Sequence, residues 1–255
     1  MDKITVVTVT YNCEEIISKT LESCCHQDYE NMEYIIIDGT SKDKTLDIIK
    51  TYSEKISLLI SEPDKGIYDA MNKGIDAASG EWIFFLNAGD VFYSDNTLSK
   101  IFTGNLNDVD AVLGNYYSTD KDGINFHKVE RPFYQKNHLY LSMGFNHQCI
   151  FVRTKWAKHL MFDLSFKCCA DYNMLYTMYQ KGARFLYVNV PVSIIEGRYG
   201  FSQSHVKIQR YEEAKIRGLE KTFKFKLYDL YKCCRMAIKK LIVKIQIYFY
   251  DKTSI

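Results

Sequence analysis

The sequence predicts an α/β protein with a mostly parallel central sheet flanked by helices, followed by a basic amphipathic helical tail. Three observations predict this fold. Short apolar runs alternate with helical periodicity over the first hundred residues. Polar residues gather where those runs end, and basic residues concentrate after residue 220. Strand–helix alternation of this kind is typical of a parallel sheet with right-handed crossovers.

Four apolar runs in the first half of the chain are predicted strands. The first, "ITVVTVTY", is a continuous β-branched run of the kind found in strands covered on both faces. Three more follow, each ending in or beside a polar residue: "EYIIID" (33–38), "SLLI" (57–60) and "EWIFFL" (81–86). Because ligands of such sheets bind at the carboxyl ends of the strands, these polar ends mark a candidate site.

Helical periodicity fills the intervals between these strands. Residues 13–26 form the first predicted helix, with apolar residues at helical spacing. A second helix is predicted to begin after N-caps at Thr40 and Ser41. A third spans 67–78 and carries a regular apolar stripe, formed by Ile67, Ala70, Met71, Gly74, Ile75 and Ala78.

The pattern loosens from about residue 105. "DAVLGNYY" and "GINFHKV" predict strands of a mixed sheet, joined as a hairpin, and "MGFNHQCIFVR" (143–153) runs from a polar turn into another strand. "ADYNMLYTMYQKG" (170–182) predicts a helix ended by Gly182, and "RFLYVNV" predicts a strand after it. The weak periodicity of 116–147 indicates longer loops, which often line the site in α/β enzymes.

The segment 221–252 has a distinct charge pattern. It contains nine basic residues and two acidic ones, so it carries +7 while the whole chain carries +2. Its apolar residues recur at helical spacing, which predicts a basic amphipathic helix. Two interpretations stay open at this point: a helix that packs on the body with a solvated charged face, or one that docks on the anionic cytoplasmic leaflet of a membrane.

Composition excludes several classes of protein. Apolar residues make up 47% and charged residues 25%, and the net charge of +2 gives no sign of a nucleic-acid partner. Asp2 and Lys3 lead directly into the first strand, so no secretory signal is expected, and no uncharged run is long enough to span a membrane. The eight cysteines include three adjacent pairs and no CxxC, which indicates reduced thiols.

Four acids lie at or near the predicted strand ends: Asp38, Asp64, Asp69 and Asp90. Each one alone is typical of a turn or a helix N-terminus. Together they favour a site that shares Mg²⁺ or Mn²⁺ with phosphate oxygens. No GxxxxGK[ST] is present and no GxGxxG follows the first strand, which argues against P-loop enzymes and dinucleotide dehydrogenases.

The order of motifs resembles that of the family 2 glycosyltransferases, which have a GT-A fold. The motifs are "VVTVTYN", "IIIDGTSKDKT", "SEPDKGIYDAMNKGIDAASGEWIFFLNAGD", "HQ", "ADYN" and "YGFSQS". They are most similar to the bacterial branch that builds capsule, O-antigen and other exopolysaccharides. The resemblance covers 3–205 and is dense over 3–90. It implies one catalytic domain over 1–215, with a nucleotide-sugar half (1–104) and an acceptor half (105–215), followed by the helical basic tail (216–255).

The resemblance implies a donor site along the first half of the sheet. Thr10 to Asn12 would line a nucleobase pocket, Asp38 would accept from the base or ribose, and Asp64 would lie near the nucleotide. Gly89 would let the backbone approach the ribose or diphosphate closely. The full set of implied donor-binding residues is Thr10, Tyr11, Asn12, Asp38, Asp64, Asn72, Lys73, Asn87 and Gly89.

The resemblance also implies a Mn²⁺ or Mg²⁺ cofactor. Asp90 matches the last acid of the family's DxD-type metal motif, and His205 is a candidate to complete the metal shell. The sequence departs from many members at two positions. Gly89 stands where a second carboxylate is common, and Gly39 stands where an acid often follows the strand-two aspartate.

Asp171 falls where the family places its catalytic base, at the N-terminus of a helix, with Ala170 in place of the usual preceding glutamate. On spacing alone, Asp171 would be an acid stabilised by the helix dipole. In the family register it takes the proton of the acceptor hydroxyl. His147 and Gln148 are predicted to line the acceptor or donor-sugar pocket.

The sequence therefore predicts an inverting glycosyltransferase. Its donor is a nucleotide sugar, UDP-linked, and its acceptor is a polyprenyl-diphosphate-linked sugar or an oligosaccharide. It is expected in the cytoplasm, peripheral on the inner face of the cell membrane through 221–252. One alternative, a sugar-phosphate nucleotidylyltransferase, lacks its Gly-rich loop with Arg after strand one. A second, a non-catalytic nucleotide-sugar-binding subunit, stays open because of Gly39 and Gly89.

Overall fold

The computed structural model describes residues 1–120, 123–127, 146–196 and 205–235, together with Ile238 and Ile242. Within these ranges one sheet contains nine strands. They are β1 (Ile4–Thr10), β2 (Met32–Asp38), β3 (Leu58–Ser61), β4 (Trp82–Phe85), β5 (Val91–Phe92), β6 (Ala111–Asp120), β7 (Gly123–His127), β8 (Ile150–Arg153) and β9 (Phe185–Glu196).

Helices pack around the sheet and extend beyond it. They are α1 (Ile17–Cys25), α2 (Thr45–Lys50), α3 (Ile67–Ala77), α4 (Thr97–Ile101), α5 (Thr154–Leu160), α6 (Ala170–Gln180) and α7 (Val206–Ile216). A short 3-10 helix, His147–Cys149, leads into β8. Residues 223–235 form the last helix, which we call the tail helix. In the described ranges, no helix has the length and apolar character needed to cross a bilayer.

The first four strands form the parallel half of the sheet, in the order β3-β2-β1-β4. This confirms the strand–helix alternation predicted from the sequence. The register pairs Thr10 with Asp38 and Asp38 with Ser61, so the polar strand ends are neighbours at one edge. All seven residues of β1 are buried, as expected for a strand covered on both faces.

Beyond β4 the sheet is mixed. The strand β8 pairs antiparallel with both β4 and β6, β5 pairs antiparallel with β9, and β6 pairs parallel with β9. The predicted hairpin is present as β6 and β7, with Asp120 opposite Gly123. The predicted helix of 170–182 is α6, and Gly182 follows it at a positive φ of 81°.

Stacked aromatic rings join the two halves of the core. Phe84 of β4 stacks on Phe151 of β8 with ring centroids 4.3 Å apart, and on Phe92 of β5 at 5.3 Å. Trp82 is fully buried beneath the Arg153 guanidinium, which lies 4.1 Å from the ring centroid. Offset ring packing of this kind stabilises the core beyond the area that it buries.

The structure corrects two local predictions and adds three short elements that the sequence did not predict. Thr40 and Ser41 do not cap α2, which begins at Thr45 after Lys44, because the Ser41 side chain donates to Asp38 instead. In α3, Ile67 is 41% exposed and Tyr68 takes the buried position. The strand β5 and the helices α4 and α5 were not predicted, because all three are short and their periodicity is weak.

Candidate functional site

Asp38 ties together the ends of two parallel strands. Its Oδ2 accepts hydrogen bonds from the Ser61 hydroxyl at 2.6 Å and from the Ser41 N–H at 3.0 Å, and its Oδ1 accepts from the Ser41 hydroxyl at 2.5 Å. The residue is fully buried. Its carboxylate therefore stabilises the floor of the polar edge, and the described contacts use three of its roughly four acceptor sites.

The carboxylate of Asp64 occupies the space above Gly39. A Cβ atom on Gly39 would lie 2.4 Å from Asp64 Oδ2 and 3.3 Å from Cδ2 of Tyr11, so any side chain at this position would displace the carboxylate. The other oxygen of Asp64 accepts from the Gly66 N–H at 2.9 Å. Tyr11 is 56% exposed beside it. Asp64 thus places a carboxylate beside position 39, where an acid is common in the family and this chain has Gly39.

The turn after β1 is held in one conformation by hydrogen bonds to the loop after β2. The Asn12 N–H donates to the Ser41 hydroxyl at 2.8 Å, and Asn12 Oδ1 accepts from the Lys42 N–H at 2.8 Å. Asn12 has a φ of 50°, a conformation that asparagine tolerates better than most residues. Of the predicted pocket residues, Tyr11 and Asn12 therefore lie on a preformed turn, directly after Thr10 at the end of β1.

Asp90 connects three other segments of the chain through buried hydrogen bonds, a group of contacts that we call the Asp90 joint. Its Oδ1 accepts from the Glu196 N–H at 2.9 Å and its Oδ2 accepts from Gln148 Nε2 at 3.0 Å, while its carbonyl oxygen accepts from the Thr20 hydroxyl at 2.7 Å. The residue is only 4% exposed. Burial raises the pKa of Asp90 to about 6, although the hydrogen bond from the Glu196 N–H and the nearby His147 favour the ionised form.

The backbone at Gly89 lies against a second acid. Gly89 has a φ of 98°, and a Cβ atom there would be 3.2 Å from Ile16 Cδ1 and 3.6 Å from Glu196 Cβ. The Glu196 carboxylate forms an ion pair with Lys19 at 3.2 Å and accepts from the Thr119 hydroxyl at 3.0 Å. The positive φ and the nearby side chains of Ile16 and Glu196 both require glycine at position 89. Glu196 also places an acidic residue next to this position, where many family members have a carboxylate and this chain has Gly89.

A chain of hydrogen bonds runs from Asn87 to Asp171. His147 Nδ1 lies 2.9 Å from Asp171 Oδ2, and His147 Nε2 lies 3.1 Å from Asn87 Nδ2. Because the amide nitrogen is a donor, this arrangement assigns the imidazole proton to Nδ1, which donates to the carboxylate. His147 therefore orients Asp171.

Asp171 has one lone pair without a described partner. Its Oδ1 accepts from the Tyr68 hydroxyl at 3.2 Å and from the Tyr172 N–H at 2.8 Å, whereas among the described residues Oδ2 has His147 as its one donor. Each carboxylate oxygen has about two lone pairs, so Oδ2 is the atom with acceptor capacity left. Burial, and next the charge of Asp171, raise the pKa of Tyr68 far above its ordinary range, so its hydroxyl stays a donor.

An acid on α7 fixes the loop that leads into α6. The Glu212 carboxylate is buried and accepts from three consecutive N–H groups, those of Lys167, Cys168 and Cys169, at 2.8, 2.9 and 3.1 Å. These groups immediately precede Ala170, the first residue of α6. Glu212 thus holds the segment that presents Asp171 at the N-terminus of the helix.

The back of the Asp171–His147 pair is apolar. A cavity of about 20 Å³ lies beside the two residues and is otherwise lined by side chains such as Phe85, Phe162 and Leu175. It is large enough for about one water molecule. In such low-dielectric surroundings hydrogen bonds are stronger than in water, so the geometry of the pair is held firmly.

Two residues predicted to bind the donor are paired within the protein instead. Both polar atoms of the Asn72 amide bond the backbone of Phe162, at 2.9 Å to its carbonyl oxygen and 2.8 Å from its N–H. Lys73 Nζ lies 2.7 Å from the Pro63 carbonyl oxygen and 2.9 Å from Glu62. Asn72 joins α3 to the loop after α5, and Lys73 holds the loop that carries Asp64.

Within the described residues, protein side chains alone form no complete ligand set for the predicted metal ion. Asp90 is only 4% exposed and each of its carboxylate oxygens accepts one hydrogen bond, and its role as a metal ligand stays a prediction. His205 is the N-cap residue of α7, and no described contact joins it to Asp90. Among the described residues, no three His, Cys, Asp or Glu side chains are grouped as metal ligands.

Three buried oxygen atoms at the polar edge have no hydrogen-bond partner within the part of the chain that the structure describes: Thr10 Oγ1, Asn87 Oδ1 and Gln148 Oε1. Each such atom costs about 1–3 kcal/mol if it stays unpaired. Unpaired buried polar atoms are rare in proteins and call for a specific explanation. Their occurrence at the ends of β1 and β4 and in the 3-10 helix points to a polar group bound at this edge.

Sequence reasoning missed three residues that shape the site: Tyr68, Glu196 and Glu212. Tyr68 stands in the "GIYDAMN" stretch, directly before an acid, where its position on the buried face of α3 was the available signal. Glu196 and Glu212 carry no local signal, because they act on residues more than forty positions away in the sequence.

The comparisons with known proteins agree on one family. The family model described as Glycosyl transferase family 2 matches residues 5–168. A PGL/p-HBAD biosynthesis glycosyltransferase of Mycobacterium bovis is 33% identical over 114 residues, covering 43% of this chain and 44% of the relative. The Escherichia coli protein WfaP, named a UDP-Glc:alpha-D-GlcNAc-diphosphoundecaprenol beta-1,3-glucosyltransferase, is 32% identical over 125 residues, covering 49% of each chain.

The chain thus matches these relatives over about half of their length. Among solved structures, Staphylococcus aureus TarS 1–349 in complex with UDP-GlcNAc is similar with a TM-score of 0.68. The two chains are 21% identical, and the similarity covers 86% of this chain and 66% of TarS. This likeness confirms the GT-A fold that the sequence motifs imply.

The joint at Asp90 should respond differently to two substitutions. Asp90→Ala leaves the Glu196 N–H and Gln148 Nε2 without acceptors and should lower the free energy of unfolding by about 2–5 kcal/mol. Asp90→Asn keeps one acceptor, and Gln148 can turn its unpaired Oε1 toward the new amide. Urea unfolding should therefore show Asp90→Asn to be close to wild type in stability.

The comparison of wild type with Asp90→Asn also tests the titration of Asp90. Its folded pKa of about 6 lies above its ordinary value of 3.8, so protonation favours the folded state. That contribution is present below the ordinary value and is lost as pH rises through about 6. The stability of wild type relative to Asp90→Asn should fall between about pH 4 and pH 7. A difference that does not change with pH would contradict a buried, titrating Asp90.

Proposed function

The chain belongs to glycosyl transferase family 2, and from this membership we propose that it is an inverting glycosyltransferase with Asp171 as its catalytic base. The observation that carries the proposal is the carboxylate of Asp171. It lies at the N-terminus of α6, oriented by His147 and Tyr68, with one acceptor lone pair left on Oδ2. A general base needs this combination of fixed geometry and free acceptor capacity.

The proposed donor is a UDP-linked sugar, and the proposed acceptor is a sugar on a polyprenyl diphosphate or an oligosaccharide. The name of WfaP describes transfer from UDP-Glc to a diphosphoundecaprenol-linked sugar, and the TarS structure contains UDP-GlcNAc. WfaP matches 49% of this chain in sequence, and TarS is similar to it in fold. We place the reaction in the synthesis of a bacterial surface polysaccharide, at the cytoplasmic side of the membrane.

In the proposed reaction the acceptor hydroxyl approaches Asp171 Oδ2. The carboxylate takes the hydroxyl proton as the oxygen attacks the anomeric carbon, and the bond from that carbon to the nucleoside diphosphate breaks on the opposite face. The proton stays on Asp171 while the diphosphate leaves with the bonding electron pair. One displacement of this kind inverts the anomeric centre, because attack and departure occur on opposite faces.

His147 is a positioning residue in this proposal. It donates its Nδ1 proton to Asp171 and accepts from Asn87, so the carboxylate, the imidazole and the end of β4 keep one relative orientation. Positioning matters because a small misplacement of a reacting group lowers a rate strongly. Asn87 Oδ1 and Gln148 Oε1, which have no partners, are the proposed acceptors for hydroxyl groups of the donor sugar.

The proposed nucleotide pocket lies at the turn after β1. Tyr11 supplies an exposed ring, Asp64 supplies the carboxylate above Gly39, and Thr10 supplies an unpaired hydroxyl. Asn12, Asp38, Asn72 and Lys73 then act by holding these loops in place. The single domain over 1–215, with its nucleotide-sugar and acceptor halves, remains part of this proposal.

A divalent cation is common in enzymes with this fold, and its chemistry is to neutralise the charge of the leaving diphosphate. Mn²⁺ or Mg²⁺ stays a prediction for this chain. Asp90 and His205 stay its predicted ligands, and the steps above describe only what the chain's own residues do. Titration of Mn²⁺ into the protein with bound UDP measures any dependence directly.

The replacement Asp171→Asn tests the proposed base. It should lower transfer by about 10²–10⁴-fold, because the amide cannot take the hydroxyl proton, and should leave the affinity for the UDP-sugar within about twofold. Mass spectrometry of the glycosylated product and calorimetric titration of a panel of nucleotide sugars give the two readouts. Asp47→Asn, a change of the same charge on the surface of α2, is the control.

Two results would contradict the proposal. Near-normal turnover by Asp171→Asn would remove Asp171 from the role of base. Binding of nucleotide sugars by the wild type, with no transfer or hydrolysis on any lipid-linked or oligosaccharide acceptor, would favour a non-catalytic binding subunit.

Tyr68→Phe tests the orientation of the base. The carboxylate loses one donor that fixes its orientation, so kcat should fall by about tenfold while the KM for the donor changes little. Tyr29→Phe removes the hydroxyl of another buried tyrosine, which donates to the Asp2 carbonyl oxygen, and is the matched control. Equal effects of the two variants on kcat would show that Tyr68 acts only through stability.

Gly39→Ala tests the position of Asp64. The added methyl group would displace the Asp64 carboxylate, so the affinity for UDP should fall by at least about tenfold while the melting temperature changes little. Gly104→Ala is the control, because no atom lies within 4 Å of a Cβ placed there. Unchanged UDP affinity in Gly39→Ala would exclude Asp64 from the nucleotide pocket.

A further inference from the structure

The tail helix packs on the body through one of its faces. Phe225 is 5% exposed, and Asp229 and Cys233 follow it at intervals of four residues on the same face. Asp229 Oδ1 accepts from Nε and Nη2 of Arg210 at 2.7 and 2.6 Å, and Cys233 Sγ lies 3.6 Å from Arg210 Nη2. This face is therefore already occupied by α7.

The opposite face of the tail helix is apolar and exposed. At 100° per residue, its apolar side chains lie about half a turn away from Phe225 and Asp229, in one stripe. The members of this stripe, with their exposed fractions, are Phe223 (79%), Leu227 (58%), Leu230 (60%) and Tyr231 (57%). A contiguous exposed apolar stripe of this size indicates a binding surface.

Basic residues flank the stripe on both sides. Lys224 and Arg235 follow it on one edge, Lys226 lies on the other, and all three are exposed. Within the described part of this segment, 221–235, Asp229 is the acidic residue, and Arg210 neutralises it. The outer face of the tail helix is thus apolar along its centre and positively charged along its edges.

We propose that this face docks on the surface of an anionic lipid bilayer. A helix with an apolar stripe and flanking lysines lies in the plane of the interface, with the stripe among the acyl chains and the charges among the headgroups. Each basic residue near such a surface strengthens binding about fivefold. A second copy of this helix is a poor occupant, because pairing two such stripes would bring their flanking lysines together.

If the tail helix docks on a membrane, α7 would connect it to the loop that presents the proposed catalytic base. Arg210 of α7 holds the tail helix, and Glu212 of the same helix holds the loop that begins α6 and presents Asp171. This consequence rests on the proposed function, whereas docking itself rests on the tail alone. A bilayer at the tail helix would bring lipid-linked acceptors to the side of the protein where α6 begins.

The test compares vesicle binding by the full chain and its variants. Vesicles of phosphatidylcholine, with or without phosphatidylglycerol, are sedimented with the protein at low and high salt. Leu230→Glu should lower the partition onto phosphatidylglycerol vesicles by at least about tenfold. The variant loses a leucine side chain that would enter the acyl layer, and it gains a negative charge that the lipid headgroups repel. Ile124→Glu is the matched control, since Ile124 is 64% exposed and lies on β7, and its binding should equal that of wild type.

Three outcomes would overturn the proposal: equal partition of wild type and Leu230→Glu, binding that does not depend on phosphatidylglycerol, or a wild-type dimer that Leu230→Glu converts to monomers without any vesicle binding. Leu227→Glu provides an independent variant on the same stripe, and circular dichroism checks that both fold. Vesicle binding needs no donor sugar, so its failure is separable from a failure of the proposed glycosyl transfer. Transfer to a soluble acceptor should be unchanged in Leu230→Glu.

Discussion

The buried carboxylate of Asp90 is the interaction on which the rest of the site depends. It accepts from the end of β9 and from Gln148, while its backbone accepts from Thr20 of α1. Gln148 belongs to the 3-10 helix whose first residue, His147, orients Asp171. A buried acceptor with two donors from distant segments is costly to leave unpaired, so this joint sets where the 3-10 helix can lie relative to the sheet.

The second constraint is space beside two glycines. At Gly39 the carboxylate of Asp64 lies where a side chain would be, and at Gly89 the stem of Glu196 lies against the backbone. In both places an acid from another segment stands next to a position that lacks one in the sequence. The negative charge of the polar edge is therefore kept, but it is supplied by residues that are neighbours only in the folded chain.

The segment 221–252 is strongly basic, whereas the rest of the chain has a net negative charge. The structure shows which contacts join the tail helix to the body. The tail helix contacts the body through the buried ring of Phe225 and through an ion pair between Asp229 and Arg210. Asp229 is the acidic residue of the described tail, so this ion pair neutralises its negative charge. The remaining charges of the tail helix are left on its outer edges. The helix that receives this contact, α7, also holds the loop before α6 through Glu212, so one element connects the tail to the proposed base.

The sequence by itself determined the parallel half of the sheet, the hairpin and α6, because β-branched runs and helical periodicity are local signals that burial reinforces. Its motifs also indicated the family and the candidate residues Asp171 and His147. Only the tertiary structure decided what those residues do to one another: the proton donated by His147 to Asp171, the sealing of Asp90, and the use of Asn72 to join α3 to a loop. These depend on contacts between segments far apart in the chain, and a residue's type and spacing do not reveal whether its hydrogen-bonding groups will be free or already paired after folding.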